Sequence, residues 1–237
     1  IKLNKDNQKN LFTQIKFSSL YYMGKEYEFQ ILDVNVNAMK KKLKEMKGKQ
    51  IHKNIKLVRS VFNRCNSKIM GFARVRYEGK NTTMTVKIYN NVKFPDEYEV
   101  TIKEDFETGK KFLEALNLEM TSYIETYREK WMIPMKGVHE ITFDTWPGLP
   151  TYMEVDCDNI DTMNKLLKLF NVDKEKITYG AAGKKYEIYY GIPQKIVDNK
   201  VERMTFDDIK KYFPKPKKNK ELFDKKKLQQ KKKYGKK

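Results

Sequence analysis

Cysteine and histidine are scarce in this chain, with two of each among 237 residues. Cys65 and Cys157 lack metal-ligand spacing, which argues against a zinc-organised or disulfide-stapled scaffold and leaves two free thiols suited to a reducing compartment. His52 and His139 belong to no metal-binding or catalytic pattern. No apolar run approaches transmembrane length, and the first residues lack the apolar segment of a secretory signal. A soluble intracellular protein with no membrane partner is expected. There is no internal repeat, and the two tryptophans, Trp131 and Trp146, are expected to pack rather than to stack on bases.

Lysine is abundant. The formal charge of +19 is unevenly spread, because residues 215–237 hold twelve lysines against Glu221 and Asp224. The remainder is only moderately basic, and the whole chain, at 39% hydrophobic, is long enough for one substantial domain. Three parts are expected: an N-terminal extension over 1–24, a single domain over 25–213, and a lysine-rich tail over 214–237. The tail has too little apolar surface to fold alone and is expected to stay disordered until it meets nucleic acid or another polyanion.

Within the domain, strict alternation of polar and apolar residues marks eight strands, near 25–33, 54–63, 70–77, 82–89, 97–103, 119–131, 138–145 and 151–157. Turn residues such as Glu78-Gly79-Lys80 favour antiparallel pairing. Three helices follow from apolar spacing: one bearing Val36, Met39, Leu43 and Met46 and ended by Gly48, one over 105–116 with Phe106, Leu113 and Leu116 inward, and one over 158–170 with Met163, Leu166, Leu167 and Phe170 inward. Shorter helices are expected around Tyr186, Tyr189 and Tyr190, ended by Gly191, and from the Thr205 to Asp208 cap to Phe213.

Charge sits on one parity of the strands, with both signs represented. Glu26, Glu28 and Gln30 oppose Tyr27 and Phe29; Arg74 and Arg76 oppose Ala73 and Val75; Glu97 and Glu99 oppose Tyr98 and Val100. Lys87, Arg128 and Lys130, and Glu154 with Asp156, continue the pattern. Paired acids and paired bases on successive strands indicate polar faces turned inward around a shared cavity, with the apolar faces packed outward under helices. Carboxylates favour hard divalent cations, so Glu26, Glu28, Glu97, Glu99, Glu154 and Asp156, with Asp144, are the expected ligands for Mg²⁺ or Mn²⁺. Arg59, Arg74, Arg76, Lys87, Arg128 and Lys130 are the expected partners of a polyphosphate. Phosphoryl transfer depends on positioning and charge stabilisation, so no serine, cysteine or histidine nucleophile is required. Glu26, Glu28, Glu97 and Glu99 are the expected catalytic carboxylates.

The ordered groups Glu26-Tyr-Glu28, Arg74-Val-Arg76, Thr85-Val-Lys87, Glu97-Tyr-Glu99, Arg128 with Lys130, and Glu154-Val-Asp156 resemble the motifs of CYTH domains, members of the triphosphate tunnel metalloenzymes. The resemblance spans about residues 25–190, and parts of it are similar to CYTH proteins of giant DNA viruses, which would place the chain in a host cytoplasm or a virion. It implies an α+β fold: an eight-stranded antiparallel β tunnel, a closed barrel with a charged interior, covered by helices. It also implies metal-dependent hydrolysis of inorganic triphosphate, thiamine triphosphate, a nucleotide or an RNA 5′-triphosphate. Gln30 stands where the family's first motif ends in lysine, and Asp156 where glutamate is common. A noncatalytic tunnel binding polyphosphate or nucleic acid, such as a virion-associated protein, is the alternative.

Overall fold

Alternating residues build the strands of a single curled sheet. The computed structural model describes residues 22–25, 27–63, 70–89 and 95–235; Glu26 and Cys65, singled out in the sequence, lie outside the described residues. The strands are β1 (Tyr22–Lys25), β2 (Tyr27–Ile31), β3 (Lys49–Asn63), β4 (Met70–Tyr77), β5 (Thr82–Tyr89), β6 (Asp96–Ile102), β7 (Met120–Met132), β8 (Val138–Thr145), β9 (Tyr152–Cys157), β10 (Ile177–Thr178) and β11 (Arg203–Met204). The helices are α1 (Val36–Glu45), α2 (Phe106–Ala115), α3 (Ile160–Phe170), α4 (Ala182–Tyr190), α5 (Gln194–Lys200), α6 (Ile209–Tyr212) and α7 (Lys220–Tyr234).

The sheet runs β1-β6-β5-β4-β3-β7-β8-β9-β2-β10, with β11 added beside β7. All pairs are antiparallel except β11 with β7. β1 pairs with β6 while β2, one residue further along the chain, pairs with β9. One N-terminal segment therefore engages both ends of the sheet and curls it into a tunnel. Each of the eight stretches expected from alternation is a strand. β3 begins earlier than its alternation predicts, at Lys49, because its first residues pair with β7 through irregular register between Gln50 and Ile55.

The apolar parity faces outward and is covered. Phe29, Ile141, Phe143, Met153 and Val155 pack under Leu43 of α1 and Met163, Leu166 and Phe170 of α3. Ala73 and Val75 pack under Leu113 of α2. Leu116, expected to face inward, is 57% exposed because the helix ends at Ala115 and leaves it as the cap. Each of these helices begins where a short polar side chain accepts a backbone N–H, Asn35 from Ala38, Asp105 from Thr108 and Asn159 from Thr162. At the end of α1 the left-handed residue is Lys47, with φ 59°. Gly48 acts by its small size: a Cβ there would lie 2.7 Å from the Leu43 carbonyl oxygen that its own N–H binds.

The tail departs most from expectation. Residues 220–234 form α7, whose Phe223 joins a cluster with Tyr186, Tyr190, Ile209 and Phe213. Gln230 is buried and brackets a turn, accepting from Gly148 N–H at 2.6 Å and donating to the carbonyls of Trp146 at 3.2 Å and Leu149 at 2.8 Å. Tyr234 stacks on Tyr127 with centroids 4.0 Å apart and accepts a hydrogen bond from Asn54 at 3.0 Å. Three anchors, two of them polar or amphipathic, supply the tertiary packing that a lysine-rich helix cannot generate from its own composition. The helix expected through Phe213 is only the short α6, with the Thr205 hydroxyl accepting the Asp208 N–H at 3.1 Å.

Candidate active site: a charged tunnel

Strand register sets the tunnel lining. On one side Arg59 lies opposite Arg76, Arg74 opposite Thr85, Thr85 opposite Glu99, and Lys87 opposite Glu97. On the other side Arg128 lies opposite Asp144, Glu140 opposite Asp156, Asp156 opposite Glu28, and Glu154 opposite Gln30. Period two then turns all of these side chains the same way. They surround one cavity of about 850 Å³. Every described residue expected at the site lines it: Glu28, Arg59, Arg74, Arg76, Lys87, Glu97, Glu99, Arg128, Lys130, Asp144, Glu154 and Asp156.

The acids and bases are closed onto one another. Arg128 forks onto Asp144, with Nε at 2.7 Å and Nη2 at 2.5 Å, and also reaches Glu154 at 2.7 Å and Glu140 at 3.2 Å. Burial disfavours its charged form, but these carboxylates outweigh burial and hold the guanidinium firmly protonated. Burial also works to raise the Glu154 pKa, yet Arg128 brings it down to about 2. Across the cavity Arg74 donates to Thr85 at 3.0 Å and to Glu99 at 3.2 Å, and Lys87 lies 3.0 Å from Glu97 and 3.8 Å from Glu28. Arg76 is paired with Glu78 and lies 3.5 Å from Glu99. Gln30, fully buried, donates to Glu28 and, at 3.4 Å, to Glu154.

Compensation is incomplete at Arg59 and Asp156. Arg59 donates to Thr126 at 2.8 Å and lies 4.9 Å from the Trp146 ring centroid, but its Nε has no partner among the described residues. Burial and then the charges of Arg76, Arg74 and Arg128 pull its pKa down to about 9. Asp156 is the mirror case. Burial and then the carboxylates of Glu140 and Glu28 push it up to about 8, and its Oδ1 has no hydrogen-bond partner among the described residues. An acid crowded by acids, with an orphaned oxygen, fits a divalent cation, whose charge would offset the repulsion. Glu28 and Glu140, opposite Asp156 in register on β2 and β8, are the neighbouring carboxylates that could join it, and Glu140 also pairs with Arg128 and Lys130. Among the described residues no group of three His, Cys, Asp or Glu side chains is arranged to hold a metal ion, and Asp144, Glu97 and Glu99 are engaged by bases.

Among the charged lining residues, Glu140, Glu78, Lys185 and Asp198 escaped the sequence reading. Glu140 shares the parity of Thr142 and Asp144 on β8, so alternation alone could have found it. Glu78 continues the parity of Arg74 and Arg76 but falls in a turn. Lys185 has no strand signal because it enters from α4. It is 1% exposed, sits 4.7 Å from the Tyr152 ring centroid, and donates to the Gly180 carbonyl at 3.4 Å. Burial lowers its pKa against the pull of Glu154 and Glu28. Gly183 admits α5 against α4 here: a Cβ would lie 2.3 Å from Asp198 Oδ1. His139 pairs with Asp158 at 2.7 Å and takes no part in a metal cluster among the described residues.

Comparison with solved structures finds the same fold at low identity. A candidate adenylate cyclase from Vibrio parahaemolyticus aligns with a TM-score of 0.57 at 12% identity, over 70% of this chain and 99% of that one. The PH1012 protein from Pyrococcus horikoshii OT3 aligns with a TM-score of 0.53 at 13% identity, over 66% and 96%. A conserved hypothetical protein from Pyrococcus furiosus gives 0.53 at 13%, over 68% and 99%. No curated protein matches the sequence. The CYTH domain model matches residues 64–190, which hold β4 to β9 and therefore most of the charged wall. With the tunnel, its inward acids and bases, and that match in agreement, the chain belongs to the CYTH domain family.

Proposed function

We propose that this protein hydrolyses the terminal phosphoanhydride of a linear triphosphate inside the tunnel, with Mg²⁺ or Mn²⁺. The observation that carries this reading is the paired imbalance at Arg59 and Asp156. One side of the cavity has a base depressed by burial and by neighbouring bases, and the other has an acid raised by burial and by neighbouring acids, each with an orphaned polar atom among the described residues. A polyphosphate with its bound cation relieves both at once, placing anionic oxygens among the bases and the metal among the acids. Arg59, Arg74, Arg76 and Lys87 receive phosphoryl oxygens by charge-assisted hydrogen bonds, and Arg128, Lys130 and Lys185 extend that cradle. Glu28, Glu140 and Asp156, with Glu154, hold the cation side, where Glu26 is also assigned. When bound, the metal supplies charge neutralisation and lowers the pKa of an attacking water. Glu97 and Glu99 anchor Lys87 and Arg74, so they orient the bases as well as serving as carboxylates for water.

The test is phosphate release from tripolyphosphate, thiamine triphosphate, ATP and 5′-triphosphate RNA with either metal, scored beside cyclic AMP formation from ATP. Metal-dependent release should fall at least about 100-fold in Glu28→Gln/Asp156→Asn. Unchanged turnover in that variant would overturn the assignment, and cyclic AMP as the main product would replace hydrolysis with cyclisation. The second reading, a noncatalytic tunnel in a cytoplasmic or virion-associated protein, is favoured by Gln30. This neutral amide occupies the hydrogen-bonding position between Glu28 and Glu154. Tight tripolyphosphate binding without release, and release on Gln30→Lys, would establish it.

A further inference from the structure

We propose that the exposed lysine face of α7 is a docking surface for the phosphodiester backbone of single-stranded RNA whose 5′-triphosphate is the tunnel's substrate; this rests on the triphosphatase reading above. The helix carries Lys220, Lys225, Lys226, Lys227, Lys231, Lys232 and Lys233, preceded by Lys215, Lys217 and Lys218. Against them stand only Glu221 and Asp224, and among the described residues Lys227 alone of these lysines is ion-paired, to Asp224 at 2.7 Å. The array is held rigidly. Phe223 is buried in the core, Gln230 hydrogen-bonds three backbone groups, and Tyr234 stacks on Tyr127. Ordering has thus already been met by folding, so a bound strand need not supply it.

The chemistry of the face selects the partner. Its apolar residues are spent inward, Phe223 buried and Leu222 packed against the core, leaving Leu228 as an isolated exposed apolar side chain. A membrane-bound helix needs an apolar face beside its cationic one, which α7 does not offer. What remains is a row of ammonium groups matched to a repeating phosphate charge. The face is also connected to the tunnel. Gln230 grips the turn from Trp146 to Leu149, and Trp146 lines the cavity against Arg59. Among polynucleotides, a 5′-triphosphate is the mark left by initiation with a nucleoside triphosphate, as in newly made RNA.

The experiment uses the full chain and Lys220→Gln/Lys225→Gln/Lys231→Gln/Lys232→Gln, which keeps helix propensity and every anchor. Binding of 5′-hydroxyl single-stranded RNA, which cannot use the triphosphate cradle, is measured by anisotropy at several salt concentrations. The expected result is affinity at least about 10-fold weaker in the variant, with the slope of log K against log salt flattened by about 2. Tripolyphosphate turnover should be unchanged, and the KM for 5′-triphosphate RNA should rise with kcat held. Equal affinity and slope in the two proteins would overturn the docking surface. So would binding of phosphatidylserine vesicles in preference to RNA. Loss of RNA binding in the variant, with no tripolyphosphate turnover even in the parent, would support the docking surface and overturn the triphosphatase reading instead.

Discussion

The tunnel and α7 are both rich in basic side chains, yet they hold their charge in opposite ways. In the tunnel Arg59, Arg74 and Arg76 are less than a tenth exposed, and Arg74, Arg76 and Arg128 are tied to acids on other strands. On α7 Lys220, Lys225, Lys231, Lys232 and Lys233 stand in solvent, while Lys226 and Lys227 are half-buried. Buried charge is costly unless it is matched, and a site built from it is geometrically specific and weakly screened by salt. Exposed charge is cheap to place and readily screened, and it recognises a class of polyanion rather than a shape. The same residue types therefore form a selective cradle in one region and a general attractive surface in the other.

Breaking the tunnel side should have the largest effect. Arg128→Met leaves Asp144, Glu154 and Glu140 without their shared counter-charge, and a loss of about 3–5 kcal/mol in urea unfolding is expected, together with loss of turnover. The buried side of α7 comes next. Phe223→Ala should cost about 3 kcal/mol by the same measurement, showing that the helix belongs to the fold even though its outer face does not.

Per pH unit, a smaller effect is expected from Asp156. The Asp156 pKa is raised to about 8 in the folded protein, well above an unfolded aspartate, so between those values the folded state holds the extra proton. Metal-free stability should fall as pH rises through that window, by at most about 1.4 kcal/mol per pH unit, and Asp156→Asn should flatten the fall. Equal slopes in parent and variant would show that Asp156 is not the group responsible. The smallest effect should come from the lysine face, where the four glutamine substitutions should move stability by less than about 0.5 kcal/mol while changing RNA affinity and its salt dependence.

Much of the tunnel was legible because a period of two assigns each strand residue to a side without knowledge of partners. Arg74 with Arg76 and Glu154 with Asp156 declare a lining on parity alone, and the acid-base contacts follow from register. Lys185 was not legible, since a helix that folds back over the barrel brings it in and no local pattern marks a lysine between Lys184 and Tyr186 as buried. The order in α7 was hidden for a related reason. Composition weighs its lysines, whereas the fold depends on the particular placement of Phe223, Gln230 and Tyr234 against distant backbone and rings. Gly48 was legible as a helix end, but that close approach requires it, with the left-handed backbone at Lys47, was not.

The N-terminal segment that engages both ends of the sheet also sets an order of events during synthesis. Tyr22 must wait for Glu99, and Tyr27 for Cys157, before either finds its strand partner. While β3 to β6 can zip hairpin by hairpin as they emerge and β1 can then join β6, β2 must wait for β9, the last wall of the tunnel, to leave the ribosome. The charged interior is thus open to water throughout assembly and is enclosed only at the final pairing, so its acids and bases can find one another while still hydrated.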